Sequence, residues 1–135
     1  MKKTKVVLDS FAVISYFQQE AGSDKVVRLL TRAEKNKCTL LLNLVNWGEI
    51  YYSITRTKGE KVAQEILLII EQLPIILADI DRDLVFLASR FKSRYAVSYA
   101  DCFAAALAQR EQCAVITGDK EFKLLEKDID VIWMK

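Results

Sequence analysis

Histidine is absent from all 135 residues of this chain. That absence excludes hydroxyl or thiol nucleophiles activated by imidazole, RNA cleavage by paired imidazoles, and nearly every catalytic zinc site. Proline occurs once and glycine four times, too few breaks in regular structure for a loop-rich or low-complexity chain. No run of roughly eighteen apolar residues exists to cross a bilayer. The apolar run Ile66 to Ile70 is closed by Glu65 and Glu71, and no membrane association is expected. The start, Met1-Lys2-Lys3-Thr4-Lys5, is positive like the first part of a secretion signal, but the apolar stretch that follows is ended by Asp9; it reads as mature sequence. The cysteines, Cys38, Cys102 and Cys113, are odd in number and form no Cys-x-x-Cys pair. That is the pattern of reduced thiols in a cytoplasmic protein. A glycine-rich phosphate loop is also missing, which argues against nucleotide hydrolysis. Any chemistry must therefore rest on carboxylates, lysines or a bound cation.

What is present describes a globular domain. Hydrophobic residues make up 52% and charged residues 28%, so the chain can bury a core, and residues 1–135 read as one domain. The net charge of +2 is too mild to indicate a nucleic-acid partner by itself.

Hydrophobic periodicity alternates between strand-like and helix-like. Strands are expected at Lys5 to Leu8, Cys38 to Leu42, Pro74 to Ala78, Ala114 to Thr117 and Asp130 to Trp133. Helices are expected at Phe11 to Phe17, from an N-cap at Ser23 to about Lys35, Leu44 to about Thr57, and Glu60 to Leu73 before Pro74. Three more follow at Asp81 to about Tyr95, Ser98 to Arg110 and Glu121 to Glu126. Strands alternating with helices imply an α/β fold with a mainly parallel sheet of about five strands and helices on both faces. Ligands in such folds sit outside the carboxyl ends of the strands.

Four acids sit where that rule matters. Asp9 closes the first strand, and Asp119 lies just past the fourth, in Thr117-Gly118-Asp119. Asp101 is in the first turn of the Ser98 helix, and Glu49 is in the helix after the second strand. Each has an ordinary structural explanation. Asp9 and Asp119 suit helix caps or turns, Ser98-Tyr99-Ala100-Asp101 matches a capping box, and Glu49 suits a solvated helix face. Together they suggest more. Two carboxylates about 4 Å apart repel by roughly 4 kcal/mol at an effective dielectric near 20, and four in one pocket raise one another's pKa values. A divalent cation relieves that repulsion, and an all-oxygen site selects Mg²⁺ or Mn²⁺ over Zn²⁺. Such a cation can also hold a phosphodiester and acidify a water.

The segments carrying these acids are Val6-Val7-Leu8-Asp9-Ser10, Asn43-Leu44-Val45-Asn46-Trp47-Gly48-Glu49-Ile50, Ser98-Tyr99-Ala100-Asp101-Cys102-Phe103-Ala104-Ala105-Ala106-Leu107-Ala108, and Ala114-Val115-Ile116-Thr117-Gly118-Asp119-Lys120-Glu121-Phe122. In this order and spacing they resemble the motifs of PIN-domain nucleases, most closely the VapC toxins of VapBC toxin–antitoxin pairs. The resemblance implies a three-layer αβα sandwich and a metal-dependent endoribonuclease that leaves a 5′-phosphate and a 3′-hydroxyl. It also implies Asp9, Asp101 and Asp119 as the closest metal ligands, with Glu49 binding a second ion or orienting water. Thr117 and Ser10 would support the ligands. The implied cofactor is Mg²⁺ (Mn²⁺ also suits the ligands), and the implied partners are RNA, a small antitoxin protein and a second copy of the chain. Asn43 departs from the family, which usually carries a small hydroxyl residue or proline there.

An acidic pocket repels RNA, so basic residues must guide it. Arg90, Lys92, Arg94 and Lys120 are candidates, with Tyr95 and Tyr99 for base stacking; a solvated helix face is the plainer reading of the same charges. Trp47, Tyr51 and Tyr52 suit packing in the core or at a subunit interface. Cys102, beside an acid and without histidine, is a poor nucleophile. Three other readings compete: a housekeeping PIN-domain RNA-processing nuclease, a catalytically inactive binding domain, and a receiver-like domain. The last would use Asp9 with Asp79 or Asp81 and a lysine such as Lys120, but leaves Glu49 and Asp101 unexplained.

Overall fold

The computed structural model describes residues 3–135; Met1 and Lys2, part of the charged start noted above, lie outside the described residues. The elements run β1 (Thr4–Leu8), α1 (Ser10–Gln18), α2 (Ser23–Glu34), β2 (Cys38–Asn43), α3 (Leu44–Lys58), α4 (Glu60–Gln72) and β3 (Ile75–Ala78). Then come α5 (Arg82–Arg94), α6 (Tyr99–Glu111), β4 (Ala114–Thr117), a 3-10 helix (Lys120–Leu125) and β5 (Val131–Trp133).

All strand pairings are parallel, in the order β3-β2-β1-β4-β5. Strand alternation divides the core into two layers. Val7, Leu41 and Val115 face α5 and α6, packing on Leu84, Ala88, Phe91 and Leu107. Val6, Leu8, Leu40, Leu42 and Ile116 face the other way, onto Val13, Val26, Ile50, Ile54 and Ile70 of α1 to α4. Both sheet faces are covered, which gives the three-layer α/β/α sandwich expected from the alternating sequence pattern.

The expected boundaries hold with three informative differences. Ser23 lies inside the first turn of α2, and Gly22 takes the cap position at φ 90, with no side-chain cap. A Cβ at Gly22 would also come within 2.5 Å of the Met134 carbonyl oxygen, so close packing and a left-handed backbone outweigh capping there. At the end of α4, Leu73 is already extended (φ −81, ψ 156), because the ring of Pro74 crowds a helical conformation in the residue before it. The third strand accordingly starts one residue after the proline. Finally, the short helix expected at Glu121 to Glu126 is a 3-10 helix beginning at Lys120, and its threefold repeat shapes the site described next.

Candidate active site

Parallel strands present all their carboxyl ends at one edge of the sheet. The chain leaves β1 to build β2 and β3 on one side, then returns to place β4 and β5 on the other, so the topology switches at β1. The register pairs Leu8 with Ile116, which brings the next residues, Asp9 and Thr117, level with each other.

Asp9 is fully buried. One of its carboxylate oxygens accepts from the Ala12 backbone N–H at 2.8 Å, capping α1. The other accepts from the Thr117 hydroxyl, whose oxygen in turn accepts from the Asp119 N–H at 3.0 Å. The capping explanation for Asp9 is therefore correct, and the same residue ties β1 to the loop that carries Asp119.

Asp101 lies in the first turn of α6, and its N–H donates to the Ser98 hydroxyl at 3.2 Å. In a full capping box the Asp101 carboxylate would accept from the Ser98 N–H. That N–H instead donates to Glu121 Oε2 at 3.3 Å. Glu121 thus completes the cap and leaves the Asp101 carboxylate free to face the cleft.

Glu49 is half-buried rather than solvated. The Ser10 hydroxyl donates to its Oε1 at 2.6 Å, and Asn46 Nδ2 donates to the same oxygen at 3.3 Å. Asn46 also donates to the Ala100 carbonyl at 3.1 Å, linking α3 to the start of α6. Its N–H and its Oδ1 pair with the amide of Asn43, each at 2.9 Å. Asn43, the departure from the resembled family, thus caps α3 and donates to Asn46, which a hydroxyl could not do with the same two-point geometry.

One carboxylate oxygen from each of Asp101, Asp119 and Glu121 lies within 4.8 Å of the others. Glu49 and Ser10 line the same cleft of about 350 Å³, and Asp9 lies buried behind it. Burial, partly offset by the bonds from Thr117 and Ala12, pushes the Asp9 carboxyl up to about 7, with the charges of Asp119 and Glu49 adding to the rise. Burial likewise pushes Asp101 up to about 8, against the Ser98 bond and with help from Asp119 and Asp9. Hard oxygen donors at this spacing, short of positive charge, fit a divalent cation of the Mg²⁺ or Mn²⁺ kind.

Sequence reasoning missed Glu121. The signal was its position two residues after Asp119, at the start of a short helix whose repeat was not known to be three. Lys120 is exposed and lines a neighbouring pocket. Arg90, Lys92 and Arg94 are exposed on α5 and do not line the acidic cleft, and the Lys92 ammonium donates to the Val97 carbonyl at 2.9 Å. Tyr95 is stacked on Phe91 and hydrogen-bonded to Asp128, so it is packed rather than free for a base, whereas Tyr99 is exposed. Trp47 and Tyr51 pack against the α1 to α4 layer of the core, as expected, and Tyr52 is exposed beneath Arg56. Burial pushes the Cys102 thiol up to about 11, which removes it as a nucleophile. Asp81 caps α5 and pairs with Arg110 at 3.2 Å. With the sheet order differing from the 2-1-3-4-5 of receiver-like folds, the receiver reading falls away.

The class defined by these features is a parallel α/β/α sandwich with an acidic cleft at the carboxyl edge, beside the topological switch. The PIN-domain family model matches residues 6–128, and the chain belongs to that family. Solved structures share the fold. One is VapBC2 from Rickettsia felis bound to a DNA fragment from their promoter (TM-score 0.76, 14% identity, covering 96% of this chain and 98% of that one). Another is DNA-bound VapBC from Salmonella typhimurium (TM-score 0.75, 13% identity, 98% and 99% covered). A third is VapC20 from Mycobacterium tuberculosis, a Sarcin-Ricin loop cleaving toxin (TM-score 0.72, 15% identity, 89% and 94% covered). No curated protein matches the chain.

Proposed function

We propose that this chain is a divalent-cation-dependent endoribonuclease and the toxin of a type II toxin–antitoxin pair. The observation that carries the reading is the meeting of acids from four separate segments in and behind one cleft. Asp101, Asp119 and Glu121 would hold the cation, with Asp9 behind them and Glu49 at the side. When bound, such a cation supplies a Lewis acid for the phosphodiester and lowers the pKa of an attacking water.

The protein's own groups prepare that chemistry. Thr117 fixes one Asp9 oxygen, and Ser10 and Asn46 hold Oε1 of Glu49, leaving its Oε2 for the cleft. Glu49 is placed to orient water. Attack by water in line with the departing 3′-oxygen leaves a 5′-phosphate and a 3′-hydroxyl, and the RNA 2′-hydroxyl takes no part. The VapBC neighbours support a small antitoxin as a partner, and a second copy of the chain is the other partner we propose.

The test is cleavage of end-labelled RNA with Mg²⁺ or Mn²⁺. Asp101→Asn and Asp119→Asn are expected to lower the rate about 10²-fold or more while keeping the native circular dichroism spectrum, and excess chelator should stop the wild type. Full activity in either variant, or in chelator, refutes the mechanism. Purification of the natively expressed protein free of any small companion would count against the toxin assignment.

A further inference from the structure

A second pocket, of about 410 Å³, adjoins the acidic cleft; Phe11 and Glu20 line both. Its character is opposite. Among the described residues it is lined by three lysines, Lys120, Lys123 and Lys135, against the single acid Glu20, with Phe11 and Trp133 supplying aromatic surface.

The 3-10 helix builds the division between the two. Three residues per turn align side chains at i and i+3. Phe122 and Leu125 are fully buried and anchor the helix. Lys120 and Lys123 form the next row and line the basic pocket, and Glu121 lies on the third face, lining the acidic cleft. At the boundary stands Phe11, 40% exposed. Its ring occupies the space over Gly118, where an added Cβ would come within 2.4 Å of it. Glycine at 118 therefore seats an aromatic ring at the rim of the cleft.

We propose that this pocket binds one nucleotide of the RNA strand, adjacent to the phosphate held at the acids. The base lies against Phe11, and Lys120 and Lys123 meet the neighbouring phosphate. The proposal rests on the ribonuclease reading. Charge complementarity selects the occupant: a polyanion repelled by the acids needs cations within about a nucleotide of them, and base stacking on aromatic rings is indifferent to sequence. The α5 cations do not line the cleft, whereas the lysines of the 3-10 helix stand beside it.

Binding is measured by fluorescence anisotropy, using a labelled single-stranded RNA and Asp101→Asn protein so that the strand stays intact. In that background Lys123→Glu is expected to weaken binding about tenfold and to reduce the slope of log Kd against log salt by about 0.7, the value for one lost phosphate contact. Phe11→Leu, which keeps an apolar side chain, should weaken binding about tenfold, whereas Phe11→Tyr should restore it. RNA carrying a photoreactive base should crosslink to Phe11 or Trp133. Unchanged affinity in Lys123→Glu and Phe11→Leu, crosslinks confined to α5, or no RNA binding at all would each overturn the proposal. Cleavage by the otherwise wild-type protein is scored separately. If it cuts RNA with unaltered KM in Lys123→Glu, the nuclease reading survives and the pocket assignment does not.

Discussion

At the scale of single residues, the site is an arrangement of carboxyl groups that fold at an electrostatic cost. An aspartate in an unfolded chain loses its proton near pH 4. Burial, then neighbouring acids, raises Asp9 to about 7 and Asp101 to about 8 in the folded protein. Between those limits the folded state binds more protons than the unfolded one. Stability of the cation-free protein is therefore greatest below the unfolded pKa and falls as pH rises through the folded values. Thermal melting in chelator should show a lower Tm at about pH 8.5 than at about pH 6, and Mg²⁺ or Mn²⁺ should recover more of it at the higher pH. A melting temperature indifferent to both would contradict the crowding. Glu121 belongs to the same cluster, so Glu121→Gln should weaken cation affinity about tenfold by titration calorimetry. An unaltered affinity would return Glu121 to a purely capping role.

At the scale of elements, the functional side chains are held by helix starts. Asp9, Asn43, Ser98 and Asp119 cap α1, α3, α6 and the 3-10 helix, so the same edge that gathers the acids gathers the caps. Asn46 links two of these starts, because while fully buried it joins α3 to Ala100 in α6 and also holds Glu49 within α3. Asn46→Ala leaves the Asn43 amide and the Ala100 carbonyl without that partner. Urea unfolding should show a loss of about 1–3 kcal/mol, together with slower RNA cleavage; unchanged stability would mean that water replaces the side chain. Gly118→Ala places a methyl against the Phe11 ring. Its destabilisation should shrink when combined with Phe11→Ala, and additive effects in that double-mutant cycle would show that the two do not press on each other.

At the scale of the whole molecule, the parallel sheet brings Asp9 and Asp119 to one edge although more than a hundred residues of chain separate them. Dimer formation belongs to this scale. Light scattering is expected to give twice the 15.5 kDa chain mass, and a monomer at working concentration would remove the second copy from the proposal.

Local sequence determined a good deal. Val6-Val7-Leu8, the caps at Asp9 and Ser98, and the break at Pro74 specify their elements through short-range sterics and hydrogen bonds. The strand–helix alternation then limits the sheet to a parallel one. Asp9 and Asp119 were legible as candidates because each follows a strand end, and Glu49 and Asp101 because they lie in the helices that follow β2 and precede β4. Tertiary structure decided the rest. It made Gly22 rather than Ser23 the cap of α2, since Met134 packs against that turn. It wound Lys120–Leu125 as a 3-10 helix, which set Glu121 among the acids and Lys120 and Lys123 in the pocket beside them. These outcomes depend on contacts between residues far apart in sequence, and local propensity carries no information about which distant groups will be neighbours.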